Sequence, residues 1–259
     1  MEIIGNGFLA RHLAPLAAGH PAVTVLAAGV PTHPLPDAEH LRETALVEDT
    51  VRHCLRQGRM LVFFSTVSMY GGPGEGSGPG DESGPRAAST RYGRHKLDLE
   101  RLVRASGVRH LILRLGYVLG PDEPDFRLLT ALVTQVLAGR VRVQYGARRD
   151  MLHVADFTTV VDALLRTGVC DETVNVASGD CVEVAEVVRH LEHRLGVTAR
   201  WQVSDDGIGH CPSVRKLRRL VPGLDRLGFG PGYHRSAIDR YLAATRPADV
   251  IRNERTQTP

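Results

Sequence analysis

At 259 residues, with 42% hydrophobic and 24% charged residues, the chain has the composition of a soluble globular protein that can bury one large core or two smaller ones. Its net charge of +3 is spread over interleaved acids and bases. That argues against a nucleic-acid surface, and the densest basic run, RKLRRL at 215–220, reads as one solvated face or an element edge. No apolar run reaches the ~20 residues of a membrane span and no charged leader precedes the first apolar segment, so a cytoplasmic protein without membrane contact is expected.

In chain order, EIIGNG is a short buried strand ending in a glycine turn, and FLARHLAPLAA has helical spacing. AVTVLAAGV is a second strand. A proline-rich loop leads to AEHLRETALVEDTVRHCLRQG, an amphipathic helix closed by Gly58. MLVFFSTVSMYG is a third strand. The Gly/Pro/Ser-rich stretch 72–89 cannot form a regular element and reads either as a lid or as a plain surface loop. A helix from Tyr92 to about residue 106 follows, then a strand, VRHLILRLGYVLG, and a helix, DFRLLTALVTQVLAG. RDMLHVADFTTVVDALLRTG holds a short strand and a helix. ETVNVAS is a strand, VAEVVRHLEHRLG a helix, RWQVS a strand, and a short helix from about residue 235 precedes a polar tail expected to be disordered. Strands alternating with helices predict an α/β fold with a mainly parallel sheet. Cys54, Cys170, Cys181 and Cys211 are widely separated and lack metal-ligand spacing, so they are expected as reduced thiols, with no metal site.

Three clusters carry chemistry. Gly5-Asn6-Gly7-Phe8-Leu9-Ala10 is a G-x-G-x-x-A turn between strand and helix, which would let a pyrophosphate approach the backbone; the same pattern also serves plain strand–helix turns. Ser65-Thr66-Val67-Ser68 lies at a strand's carboxyl end, where ligands sit in open parallel sheets. Tyr92 and Lys96 stand four residues apart on one helix face. An ammonium beside a phenol is expected to lower its pKa from about 10 toward the neutral range. The chain has 30 arginines and only 2 lysines, so a lysine at 96 suggests that a compact point charge is needed there.

With GNGFLA, VLAAGV, FFSTVSMYG, YGRHK, LRLGYVLGP, RDMLHVADF and VNVASG all in order, the chain resembles the extended short-chain dehydrogenase/reductase family, the nucleotide-sugar epimerase/dehydratase/reductase group. The resemblance implies a Rossmann-like domain (1–119 and 150–176) and a small substrate-binding part (120–149 and 177–245), with 246–259 as tail. It implies NAD or NADP held by Gly5, Gly7, Phe8, Leu9, Ala27, Ala28, Gly29, Ser65, Tyr92 and Lys96. It also implies a catalytic triad: Thr66 on the substrate oxygen, Tyr92 passing the proton, and Lys96 on the nicotinamide ribose. Val67, Ser68, Tyr117 and Arg149 would meet a sugar-nucleotide-like substrate, with Arg148 and His153 nearby; Arg149–Asp150 reads equally as a structural ion pair. The two helices at 38–57 and 92–106 would form a homodimer.

Two departures matter. The family's dehydratases carry Asp-Glu after the catalytic threonine, whereas this chain has Val67-Ser68, which disfavours water elimination. Relative to a full member, about two strand–helix units are missing after the first helix, including the strand whose tip reads the adenosine ribose. Arg11 and His12 are the local candidates for a 2′-phosphate, or else plain helix surface. A poorly enclosed adenine end suits a keto-sugar reductase, which exchanges cofactor each turnover, better than an epimerase, which retains it. The epimerase remains an alternative, as does a cofactor-free or non-catalytic binding protein on the same scaffold. Asp156 is expected to cap a helix and Trp201 to lie in the core or at a sheet edge.

Overall fold

The structure is a computed structural model that describes residues 1–29, 37–70, 79–84, 88–124 and 127–245. The first half runs β1 (Glu2–Ile4), α1 (Phe8–Leu13), β2 (Val23–Leu26), α2 (Asp37–Gln57), β3 (Met60–Thr66), α3 (Arg91–Ala105), β4 (His110–Leu115) and β5 (Tyr117–Leu119). The second half runs α4 (Leu128–Leu137), β6 (Arg140–Gln144), β7 (Arg148–His153), α5 (Val154–Arg166), β8 (Glu172–Val176), β9 (Cys181–Glu183), α6 (Val184–Leu195), β10 (Arg200–Ser204), β11 (Gly209–His210), α7 (Arg215–Leu220) and α8 (Tyr233–Ala244).

Five parallel strands form the main sheet in the order β1-β2-β3-β4-β8. Period-2 alternation along β3 sends Leu61 and Phe63 to one face, where they pack with Val47, Val51 and Cys54 of α2 and Leu99 and Val103 of α3. Val62 and Phe64 point to the other face and join Leu13, Phe157, Val160, Val161 and Leu164 from α1 and α5. A sheet buried on both faces explains why its strands read as continuous apolar runs. Among the described residues, β1 pairs only with β2 and so forms one edge of the sheet.

The segment expected as one strand at 108–120 is two. The chain leaves the main sheet at Gly116, where a Cβ would sit 3.0 Å from the Asp150 carbonyl, and β5 then pairs with β7. β7 also pairs with β11 in parallel and with β9 antiparallel, while β6 and β10 form a separate parallel pair. β9, β11 and α7 are too short for a strong period in sequence. α1 is shorter than its apolar pattern suggested; Pro15 lacks the N–H a helix needs, and residues 14–19 continue as a 3-10 turn.

The expectation of four reduced cysteines is corrected. Cys181 and Cys211 form a disulfide with Cα atoms 5.4 Å apart, while Cys54 and Cys170 are free. The bond ties β9 to the segment holding loop 79–84: Gly80 N donates to the Cys211 carbonyl (2.8 Å) and Ser213 N to the Gly80 carbonyl (2.7 Å). Residues 72–78 and 85–87 of the expected lid, and the expected tail, lie outside the described residues.

Candidate active site

α3 starts where Thr90 Oγ1 accepts the Gly93 N–H at 3.0 Å, which fixes Tyr92 in the first turn and Lys96 one turn later. A Cβ on Gly93 would lie 3.2 Å from Met69 Cα, so a glycine here lets α3 close onto the 3-10 turn 67–69 that follows Thr66. Lys96 Nζ lies 5.8 Å from the centre of the Tyr92 ring and 5.2 Å from that of Phe63.

Lys96 is 4% exposed and its ammonium donates to Glu43 Oε1 at 2.6 Å and toward the Phe64 carbonyl at 3.4 Å. Glu43, on α2, is 3% exposed, and its other oxygen meets His95 Nε2 at 2.9 Å. His95 in turn stacks on His40, ring centres 4.3 Å apart. Lysine places a compact point charge between the Glu43 carboxylate and the Phe64 carbonyl, in keeping with its presence in an arginine-rich chain. Glu43 was missed by the sequence reading, yet it carried a signal: Glu43, Val47, Thr50, Val51 and Cys54 form the buried stripe of α2, and an acid in that stripe requires a buried partner.

The expected lowering of the Tyr92 pKa is not what the surroundings produce. Burial raises it and outweighs the pull of Lys96, while Glu43 adds to the rise. Lys96 itself is held above its ordinary value: burial opposes the charge, but Tyr92 and Glu43 together prevail. The site therefore presents a neutral phenol beside an ammonium–carboxylate pair.

Thr66, at the tip of β3, is buried; its Oγ1 accepts the Ser68 N–H at 3.0 Å and shares a hydrogen bond with Ser68 Oγ at 2.8 Å. Val67 is buried and Ser68 half-buried. Ser65 points away from them and donates to Glu100 Oε1 at 2.6 Å. Glu100 also takes two hydrogen bonds from Arg114 on β4, at 2.9 and 2.8 Å, and Arg114 donates to the Tyr70 hydroxyl at 2.8 Å and to the Gly84 carbonyl. This buried pair locks the tip of β3, α3 and loop 79–84 together and makes Ser65 a structural residue.

At the glycine turn, Gly5 has φ +124°, and a Cβ there would meet the Ala27 carbonyl carbon at 2.7 Å, so the turn rests on the backbone at Ala27–Ala28. A Cβ on Gly7 would meet nothing within 4 Å, which leaves open space at the start of α1. A Cβ on Gly29 would lie 3.2 Å from Glu43 Oε1 and 3.5 Å from Lys96 Nζ. Small residues thus pave a track from the glycine turn across the tip of β2 to Lys96, a fit to an extended dinucleotide. Among the described residues Lys96 engages two acceptors with its ammonium, which carries three N–H donors.

The expected substrate residues are scattered. Tyr117 faces the site with its ring, under the Arg127 guanidinium at 4.8 Å, while its hydroxyl accepts the Leu129 N–H and points at Glu123 (3.3 Å). Arg127 also covers Phe8 at 5.7 Å and its charge reaches Tyr92. Burial pushes Glu123 up to about 7. Neither Arg127 nor Glu123 was singled out in sequence, since both follow a turn with no motif. Arg149 makes no ion pair with Asp150; it donates to the Arg148 and Ile208 carbonyls at 2.7 Å, and Asp150 accepts from Ser178 and Gly179. Arg148 lies 3.9 Å from Glu183. His153, not Asp156, caps α5, while Asp156 pairs with Arg240 and accepts from Tyr233. Arg11 bonds the Asp122 carbonyl, His12 turns back onto Phe8, and Trp201 lies on β10 with its N–H on Glu192.

A family model described as "NAD dependent epimerase/dehydratase family" matches residues 10–177, a span that begins just after the glycine turn. Among solved structures, a UDP-galactose 4-epimerase superposes with a TM-score of 0.77 at 19% identity, over 94% of this chain and 98% of that one. The RMD of Pseudomonas aeruginosa, complexed with NADPH, gives 0.70 at 21% identity, over 93% and 98%. The UDP-glucuronic acid 4-epimerase of Bacillus cereus, in complex with NAD, gives 0.74 at 18%, over 92% and 77%. At these identities the likeness concerns the fold: a parallel sheet flanked by helices, as in these Rossmann-like enzymes. No curated protein matches the chain.

Proposed function

The chain belongs to the NAD-dependent epimerase/dehydratase family, and from that premise we propose that it is an NAD(P)-dependent reductase of a keto-sugar carried on a nucleotide or a related sugar intermediate. The observation that carries the reading is the Lys96–Glu43 pair beneath Tyr92. Burial, with Glu43 adding to it, outweighs the pull of Lys96 and leaves the phenol neutral, the form that donates a proton to a new alkoxide. An epimerase would begin with the opposite step, removal of a proton, which favours a phenolate.

The nicotinamide supplies the hydride when bound. Thr66 Oγ1 orients the substrate carbonyl, Tyr92 transfers its proton to that oxygen, and an N–H of Lys96 holds the ribose. The glycine turn, Ala27, Ala28 and Gly29 would line the dinucleotide, and Val67, Ser68, Tyr117 and Arg149 remain the proposed substrate side. The division into a nucleotide-binding part and a small substrate part, with the boundaries given above, belongs to the same proposal.

The shortened nucleotide half is also part of it. Among the described residues β1 pairs only with β2, and a crevice without further strands beyond β1 would suit an exchangeable cofactor. A matched UDP-galactose 4-epimerase is itself covered over 98% of its length, so short length alone does not choose between the two reactions. A homodimer through α2 and α3 is proposed on the exposed Leu41 and Leu55 of α2; light scattering would then give about twice the 28.2 kDa chain mass, and a mass near 28.2 kDa would overturn it. No helix among the described residues is long and apolar enough to cross a membrane. A cytoplasmic location is proposed, against which the Cys181–Cys211 bond stands, since disulfides persist mainly in oxidising compartments.

The test is NAD(P)H consumption with nucleotide-linked 4-keto-sugars. Net consumption, lost by about 100-fold or more in Tyr92→Phe, is expected. Interconversion of 4-epimers without net consumption would overturn the reductase in favour of the epimerase.

A further inference from the structure

A ketone reduction takes up one proton per turnover: hydride adds to carbon, the C=O π bond becomes a C–O single bond, and Tyr92 gives its proton to that oxygen. Tyr92 must then regain a proton while ligand covers the site. The hydrogen-bonded chain behind it leads outward. Lys96 Nζ meets Glu43 Oε1 at 2.6 Å, Glu43 Oε2 meets His95 Nε2 at 2.9 Å, and the half-buried His95 stacks on His40. Each of Lys96, Glu43 and His95 can bind and release a proton, and the Lys96–Glu43 and Glu43–His95 links are of ordinary hydrogen-bond length, while Lys96 Nζ lies 5.8 Å from the centre of the Tyr92 ring.

We propose that Lys96, Glu43 and His95 form the path by which the Tyr92 proton is replaced from solvent, with Glu43 and His95 acting as positioning and proton-passing residues. The inference rests on the reductase reading, because an epimerase takes a proton and returns it with no net exchange. The steps balance without electron transfer. The Tyr92 phenolate takes a proton from the Lys96 ammonium, directly or across one bridging hydroxyl. His95 releases its Nε2 proton to Glu43, and rotation of the carboxyl delivers it to the Lys96 amine. His95 takes a proton from solvent at Nδ1 as it releases the one at Nε2, so no imidazolate forms, and exchange of the ring tautomer through solvent returns the Nε2–H before the next turnover. One proton enters from solvent for each that leaves on product.

Among the described residues, few other titratable groups act on this path. Tyr92, Glu43 and, at longer range, Glu100 act on Lys96, while β3 contributes only the Phe64 carbonyl and the Phe63 ring. Glu43, His40 and Lys96 act on His95, and Arg127 faces Tyr92 from the far side. If Glu43 were only a counter-ion, removing its charge would release the Lys96 proton more readily and speed exchange. A path predicts the reverse.

The experiment is hydrogen exchange at Lys Nζ in the ligand-free protein labelled with 15N-lysine. Only Lys96 and Lys216 give signals, and Lys216, paired with Glu172 on another face, is the internal reference. The variants are Glu43→Gln and His95→Gln, each able to keep a hydrogen bond but not to pass a proton. Exchange at Lys96 is expected to slow by about tenfold or more in both, with Lys216 unchanged and free imidazole partly restoring His95→Gln. Unchanged or faster exchange at Lys96 would overturn the path and leave Glu43 a counter-ion. The readout needs no cofactor, so failure of the reductase reading, seen as absent NAD(P)H binding, is distinguishable from failure of the path.

Discussion

Glu100→Gln tests how the site is held in place. Glu100 is fully buried and Arg114 is 2% exposed; the carboxylate takes both Arg114 hydrogen bonds, one from Ser65 and one from Arg104 at 2.7 Å. An amide accepts through one oxygen only and carries no charge, so the guanidinium is left buried without its counter-charge. Breaking one partner of such a pair costs about 3–5 kcal/mol, a large share of a total stability of about 5–15 kcal/mol. For a chain of this size that corresponds to a fall in Tm of roughly 10 °C, read by far-UV circular dichroism. The carboxyl is held below its ordinary pKa: burial works against its charge, and the Arg114, Ser65 and Arg104 contacts outweigh it. A lowered carboxylate contributes stability above its unfolded value, 4.5, and loses it as pH falls through the folded value. The gap between parent and variant should therefore be full near neutral pH and close in acid. A loss below about 1 kcal/mol at neutral pH, the worth of a surface pair, would refute the reasoning.

Other perturbations have equally definite outcomes. Cys211→Ser opens a cross-link spanning 30 residues and should lower stability by about 3.5 kcal/mol on the chain-entropy scale, with a Tm that no longer responds to reductant; an unchanged Tm in non-reducing buffer would contradict a formed bond. Glu123, raised from 4.5 to about 7 by burial, penalises the folded state increasingly as pH climbs between those values. Glu123→Gln should thus be more stable than the parent by roughly 3 kcal/mol near pH 8 and nearly equal to it near pH 4.5; urea titrations showing no gap near pH 8 would refute this.

Much of the fold was legible because long elements carry strong periods. The strand pattern of β3 and the apolar stripes of α2 and α3 are unambiguous, and ordered motifs pointed to the family. The short strands β9 and β11 offered too few residues for a period, and the break at Gly116 depends on a carbonyl 34 residues away in sequence. Tyr92 and Lys96 were visible from their spacing; their protonation was not. That balance is set by Glu43, which lies 53 residues before Lys96 and whose role emerges only when α2 packs on α3. The same limit applies to the cysteines, since a pairing 30 residues apart has no local signature.

Calorimetric titration of the folded protein with NADH and NADPH, after any carried-over cofactor has been assayed, tests the central claim most directly. Binding at micromolar concentration, readily reversed on dilution, is the predicted result, and the tighter of the two identifies the cofactor. No binding at millimolar concentration of either would contradict an NAD(P)-dependent reductase.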